Sequence, residues 1–483
     1  MNYIGCHVHD KTKIDPNKIA IETATRQLTY GELSLNIRTI QQILLQQSTK
    51  KQEKMVLYMD EPIAFLQTYF AAISIGWIVL PIHQQQTNIS IQKAIHTIQP
   101  SLIVTNQPNK FLFCEENILF LDDINDVSLS HPRNTPYEPK EDDLFYIGQT
   151  SGTSGNPKFF VRTHRSWLLS FEEMEEVFPI DATKSISAPG PLTHSLSLCM
   201  ATYALHRGAT FYAMEQFDAT ILYEKITAET VNVIFVVPSM LYDLVKMPRT
   251  MSSITYISAG DMLQAKMYEQ TKTVYPNRSL FEYYGASELS YITYKNEVIH
   301  QKKQNVTGVP FPSVTVTICN DNGKPVQFGE IGKIFVKSPF ACTQYISDHI
   351  LEENEYGICV GDLGFIDNAG YVSLIGRENN MIISGGHNIY PVEIERVIHS
   401  NDQVEQAVVI GVPHEKFGQI AVAYIQLRSH EPTVVSTIKK LCRQTLPRYK
   451  RPKKYVIVEA FPKTNTGKII RSELDNNKTK EVQ

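Results

Sequence analysis

The stretch "QTSGTSGNPKFF", Gln149 to Phe160, crowds hydroxyls and glycines ahead of one lysine. Gly152 and Gly155 let backbone N–H groups turn inward, while Thr150, Ser151, Thr153 and Ser154 add hydroxyl donors and Lys158 a point charge. That combination suits a phosphate chain, and a nucleotide is its natural bearer. The same residue types also build ordinary polar hairpins. A Walker A loop is excluded, because Pro157 precedes the lysine and Phe159 follows it where that motif needs glycine and a hydroxyl residue. The loop alone leaves a phosphate cradle and a plain turn both open.

The elements around it narrow the choice. An apolar stretch, Leu144 to Ile147, runs into the loop, and apolar residues resume at Phe159. Upstream, "LTYGELSLNIRTIQQIL" places Thr29 and Glu32 at capping-box spacing ahead of a helical apolar period. "IAFLQTYFAAISIGWIVLPI", Ile63 to Ile82, approaches membrane-spanning length but is interrupted by Gln67, Thr68, Ser74 and Gly76 and stops at Pro81. It reads as a buried helix, a turn at Gly76 and a short buried strand, "WIVLP". "VNVIFVVP" and "ITYISAGD" are β-branched runs of the kind found in buried parallel strands. Helices between such strands imply a layered α/β core. From about Val306, alternating strands with Asn-Gly and Phe-Gly-Glu turns predict a small antiparallel sheet or barrel. The helix-like "YPVEIERVIHS" and strand-like "VEQAVVIGVP" then suggest a compact α+β domain, with "NNKTKEVQ" fraying at its end.

Whole-chain properties exclude several classes of function. A chain of 483 residues exceeds one compact core and implies more than one domain. A net charge of -4, from 46 basic and 50 acidic residues, gives no electrostatic footprint for a nucleic-acid partner. Seven scattered cysteines without a C-x-x-C pair argue against a disulfide framework or zinc site and fit a reducing compartment. The start shows no secretory signal and no transmembrane segment is expected, so the expected location is cytoplasmic.

The loop closely resembles the phosphate loop of the adenylate-forming superfamily, which comprises acyl-CoA synthetases, peptide-synthetase adenylation domains and luciferases. "TYGEL", "YYGASE", "GDLGFID", "GRENNMIISGGHNIYPVEIE" and "PKTNTGKIIRSEL" match that family in order and rough spacing over nearly the whole chain. Within it the chain is most similar to bacterial fatty-acid–CoA ligases. The resemblance implies an α/β fold. It has a large N-terminal region (residues 1–377) of two layered α/β subdomains plus a small β-barrel, a hinge at 378–380, and a smaller mobile α+β C-terminal domain (381–483). The chemistry implied joins a small-molecule carboxylic acid to ATP, releasing pyrophosphate, and then passes the acyl group to a thiol. ATP, Mg²⁺ and coenzyme A are the implied cofactors and co-substrates.

Carried over by this resemblance, Lys468 in "TNTGKII" is the catalytic lysine between carboxylate and phosphate. Glu288 in "YYGASE" is the Mg²⁺ ligand, a hard oxygen donor beside a phosphate. Ser287 keeps a hydroxyl for the α-phosphate, and Tyr284 lies against adenine. Asp362 accepts the ribose hydroxyls with Arg377 assisting, and His194 borders the acyl pocket. Gly385 and Gly386 line the approach of the thiol, and rotation about a hinge at Asn380 exchanges Lys468 for that loop. Three positions depart from the family pattern: Asn380 replaces aspartate, Phe159 replaces the glycine after the loop lysine, and Ser197 stands where relatives often have glycine. No aspartate suited to a substrate amine is evident, since Asp261 in "SAGD" reads as lying near the nucleotide; an apolar acid is therefore expected. Two alternatives stay open: loading of a separate carrier protein's phosphopantetheine, and a nucleotide-binding relative without catalysis.

Overall fold

The computed structural model describes residues 3–8, 14–107, 117–121, 137–150, 158–346, 351–428, 433–462 and 469–474. The chain divides into two compact units, Met1–Thr315 with Val336–Ile358, and Val316–Phe335 with Cys359–Gln483.

The first unit is built on two large sheets with helices between their strands. One has seven strands, in the order Gln344–Tyr345, Lys158–Thr163, Leu144–Thr150, Ile78–Pro81, Lys54–Tyr58, Leu102–Thr105, Ile118–Phe120. The other has nine, and its central strands, among them Val233–Val236 and Ile254–Ala259, run parallel as their β-branched composition predicts. The helix Tyr30–Gln47 starts with the expected capping box, in which Thr29 and Glu32 satisfy each other's backbone N–H. The apolar run from Ile63 resolves into a helix, Pro62–Ser74, a turn at Gly76 and the strand Ile78–Pro81. Among the described residues no helix is long and apolar enough to cross a membrane.

One docking contact had no signature in the sequence. The backbone N–H of Ile4 donates to Nδ1 of His164 at 3.1 Å, and that of Gly5 to Nδ1 of His206 at 3.2 Å. Both rings are buried, so the N-terminal segment is tied into the core by two imidazole nitrogens that accept its N–H groups.

In the stretch expected to form a small sheet or barrel, five strands make one sheet, Thr315–Cys319, Gly332–Lys337, Gly357–Ile366 and Glu352–Asn354 in order, with Val372–Arg377 paired to Gly357–Ile366. Most of this sheet lies in the second unit. A second five-stranded sheet follows there, around Gly418–Leu427, with Val404–His414 antiparallel to it and Lys454–Val458 parallel. The helices Pro391–His399 and Thr433–Thr445 bury Ile394, Ile398, Val434 and Ile438 against it, giving the α+β domain expected from "YPVEIERVIHS" and "VEQAVVIGVP".

Candidate active site

Ser151, Gly152, Thr153, Ser154, Gly155 and Lys468 lie outside the described residues, as does the tail. The strands on either side of the glycine-hydroxyl loop are described, and they pair antiparallel with Thr150 opposite Lys158. Their register is set by one close approach. A Cβ on Gly148 would meet Phe160 Cζ at 2.0 Å, so the Phe160 ring lies where any other residue at 148 would place its side chain. Phe159, the residue that replaces the family glycine, points the other way and is buried with Ile147 and Val161. It extends the core and leaves the Lys158 face unchanged.

Glu288 comes to this pair of strands from the nine-stranded sheet. It follows the strand Arg278–Ala286, which turns back into Ser290–Asn296. The turn is tight: a Cβ on Gly285 would stand 2.0 Å from the Ser290 carbonyl oxygen, and Ser290 itself adopts a φ of 56°. Only glycine fits at 285. The carboxylate that results is 8% exposed, and its Oε1 accepts from the hydroxyls of Tyr345 at 2.9 Å and Thr150 at 3.3 Å. The Lys158 ammonium stands 5.7 Å from the centre of the same Tyr345 ring. Thr150, Lys158 and Glu288, far apart in sequence, thus converge around Tyr345, which sequence reasoning missed. Ser287 and Tyr284 sit on the same turn and strand, both partly buried.

This arrangement fits a magnesium ion bound to a phosphate chain. Among the described residues no group of three or more His, Cys, Asp or Glu could hold a metal, so an all-protein cage is absent there. Among the described residues the buried Glu288 carboxylate accepts only from hydroxyls, so it could supply one hard oxygen ligand while phosphate oxygens and water supplied others, as Mg²⁺ prefers.

His194 stands at the N-cap position of the helix Ser195–Arg207 without a side-chain capping bond, and lies 5.6 Å from His83, ring centre to ring centre. Burial, and secondly the neighbouring His83, pull its pKa down to about 4; burial also lowers that of His83. Both are therefore neutral near pH 7. The next residue, Ser195, shares a hydrogen bond of 3.1 Å with the Tyr146 hydroxyl. Tyr146 lies on the strand that leads into the loop, and burial pushes its pKa up to about 12. Ser197 is buried on the first turn of that helix.

A second missed feature supports the loop after Ile254–Ala259. Glu282 and Lys295, partners in register on adjacent strands, form a buried ion pair of 2.8 Å. Glu282 also accepts from the Leu263 N–H at 2.7 Å and from the Tyr268 hydroxyl. It thereby fixes the segment that carries Asp261, which is itself exposed.

In the second unit, Asp362 and Arg377 face each other across paired strands, and Arg377 Nε donates to Asp362 Oδ1 at 3.1 Å. Asp362 is 3% exposed while its partner reaches solvent. Asn380 closes a short 3₁₀ turn, Glu378–Asn380. Gly385 and Gly386 form the two-residue turn of a hairpin, with φ of 56° and 80°, the signature of a type I′ connection. Around that hairpin, His387 stacks on Tyr449 at 4.7 Å, and Phe417 lies between Lys416 and Lys453 at 5.6 Å and 5.9 Å.

Known sequences resemble this one over nearly its whole length. The family described as AMP-binding enzyme matches residues 8–346, and that described as AMP-binding enzyme C-terminal domain matches residues 393–468. The chain belongs to the AMP-binding enzyme family. This AMP-binding enzyme is 33% identical over 475 residues to the uncharacterised acyl–CoA ligase YhfT of Bacillus subtilis, covering 96% of each chain. It is 32% identical over 469 residues to the putative long chain fatty acid–CoA ligase VraA of Staphylococcus epidermidis, covering 95% of each. Its fold matches that of o-succinylbenzoate CoA synthetase (MenE) from Bacillus subtilis, bound to its acyl-adenylate intermediate, with a TM-score of 0.88 at 22% identity over 99% of both chains. ATP-bound MatB from Rhodopseudomonas palustris has a TM-score of 0.87 at 23% identity, again over 99% of both. At that identity the likeness is one of fold.

Proposed function

We propose that this AMP-binding enzyme is an AMP-forming acid–thiol ligase acting on an apolar carboxylic acid, with fatty acids as the leading substrate class. In the first step a carboxylate oxygen attacks the α-phosphorus of ATP, the bond from that phosphorus to the α,β-bridging oxygen breaks, and pyrophosphate leaves with its electron pair. In the second step the thiol sulfur of coenzyme A attacks the acyl carbon, loses its proton, and AMP departs. The observation that carries this reading is the buried Glu288 carboxylate held by Thr150 and Tyr345 at the ends of the strands that flank the glycine-hydroxyl loop.

Each residue has a role in that scheme. Thr150, the loop 151–155 and Lys158 hold the phosphates through hydroxyls, backbone N–H groups and a point charge. Glu288 would hold Mg²⁺, which when bound neutralises charge on the phosphate oxygens. Ser287 would donate to the α-phosphate, and Tyr284 would pack on the adenine. Asp362, with Arg377, would accept from the ribose hydroxyls, and Lys468 would bridge carboxylate and phosphate. His194, neutral, would wall the acyl site. For the second step, rotation of residues 381–483 about the 378–380 hinge at Asn380 would replace Lys468 by the Gly385–Gly386 turn. The lysines and rings around that turn favour coenzyme A, whose thiol arm ends in a phosphorylated nucleotide, over a carrier protein. The cytoplasm is the fitting compartment, since the cysteines among the described residues are free thiols.

The test is AMP release from purified protein with ATP, Mg²⁺ and fatty acids of increasing length, with and without coenzyme A. Release that depends on both acid and coenzyme A, and is abolished in Lys468→Ala with ATP binding retained, is the expected result. Release without any coenzyme A requirement would refute the thiol step.

A further inference from the structure

Beside the candidate metal carboxylate lies a buried charge that the reaction scheme does not use. Arg162 is on the strand Lys158–Thr163 and is 0% exposed. A guanidinium away from water is tolerated only when its donors are satisfied, and an apolar side chain of similar volume is often the more stable choice. Among the described residues no carboxylate pairs with it. Its donors go to neutral oxygens on three segments instead. Nε donates to Ser166 Oγ at 3.1 Å, one terminal nitrogen to the Ser287 carbonyl at 2.9 Å, and the other to Ser290 Oγ and the Phe340 carbonyl, both at 2.6 Å.

Two of those acceptors bracket Glu288. Its own carbonyl is held by the Cys342 N–H at 2.7 Å, in the segment that starts at Phe340 and reaches Tyr345. Arg162 therefore ties the residue before Glu288, the residue two after it, and the segment that delivers the Tyr345 hydroxyl to the carboxylate. Strand alternation puts Arg162 on the same face as Lys158, four residues earlier. One strand thus carries the loop lysine at one end and, at the other, the group that sets the carboxylate.

We propose that Arg162 is a positioning residue that couples the strand after the phosphate loop to the turn bearing Glu288, fixing that carboxylate for a divalent cation on the polyphosphate. The proposal rests on the reading of Glu288 as the metal ligand. A fixed fork of five donors is what lets one side chain hold acceptors on three segments; a lysine cannot.

The experiment measures ATP binding by calorimetry with and without Mg²⁺ in Arg162→Lys, Ser290→Ala, Ser166→Ala and Glu288→Gln, with urea unfolding of each. Glu288→Gln should remove the tightening of ATP binding by Mg²⁺. Arg162→Lys and Ser290→Ala should reduce that tightening about ten-fold, the effect of losing one hydrogen bond to a charged group. Ser166→Ala removes the bond farthest from the turn, and should lower stability while leaving the metal dependence intact. If Arg162→Lys does not fold, Ser290→Ala, which leaves the buried charge in place, decides. Folded Ser290→Ala with unchanged metal dependence, while Glu288→Gln loses it, would overturn the role of Arg162. An unchanged metal dependence in Glu288→Gln would instead remove the reading of Glu288 on which the proposal stands.

Discussion

Replacing Gly285 by alanine should damage adenylation more than it damages the fold. The added Cβ would sit 2.0 Å from the Ser290 carbonyl oxygen, whereas real Cβ atoms stay at least 3.0 Å from such neighbours. The strand return must therefore open by about 1 Å, against backbone and not against a side chain that could swing away. Overpacking of this kind costs roughly 1–3 kcal/mol of stability. With Glu288 as the proposed metal ligand the catalytic cost is larger, because Ser290 is two residues from Glu288 and Mg²⁺ accepts oxygen ligands only in a narrow range of ~2.0–2.1 Å. A displacement of about 1 Å at a reacting group costs on the order of 100-fold in rate. Exchange of labelled pyrophosphate into ATP reads the adenylation step, and urea unfolding reads stability on the same sample. Gly370→Ala is the control, since Gly370 has a positive φ, 84°, that strains an alanine, but a Cβ there meets nothing within 4 Å; it should lose some stability and no exchange activity. A folded Gly285→Ala enzyme exchanging at the unsubstituted rate would refute the link between that turn and the carboxylate's position.

Acid should weaken the protein through His164. Its Nδ1 accepts the Ile4 N–H, so the proton is on Nε2, and burial pulls its pKa down from 6.5 to about 3. A depressed histidine contributes stability that is fully present above about pH 6.5 and is lost as pH falls towards 3; by pH 5 that loss is about 2 kcal/mol. His164→Gln, whose carbonyl can still accept, should show a pH dependence of unfolding shallower by that amount, and parallel curves would contradict it. His194, held neutral by burial with its pKa down at about 4, should leave adenylation flat from pH 6.5 to 8 as far as that ring is concerned; an activity step in that range that disappears in His194→Asn would contradict it. Gly386→Ala meets no atom within 4 Å but forces a φ of 80° on a residue with a Cβ, at a cost of about 1–2 kcal/mol. It should slow thioester formation while sparing pyrophosphate exchange, a split read by running both assays.

Local features were legible in the sequence because their partners are neighbours. The Thr29–Glu32 capping box and the break at Gly76 each depend on residues a few positions apart. The proposed site residues were legible only as an ordered set of short motifs, since no local rule gives Glu288 or Asp362 a task. What supports them was not legible at all. Arg162 finds acceptors 125 and 178 residues away, and Tyr345 reaches Glu288 across 57, so neither pairing leaves a periodic trace. Glu282 and Lys295 did leave one, as opposite charges each set within an apolar strand run, and pairing the two runs as a hairpin would have placed them side by side.

The contact between Phe160 and Gly148 has an evolutionary consequence. Along paired strands, deletion or insertion of one residue inverts every following side chain. Between Lys158 and Arg162 such an event would put the two cations on opposite faces, sending one of them into the apolar layer now filled by Phe159 and Val161. Descendants of this hairpin can therefore change its residues one at a time, but its length is frozen, and variation in the number of residues should accumulate at other points of the chain.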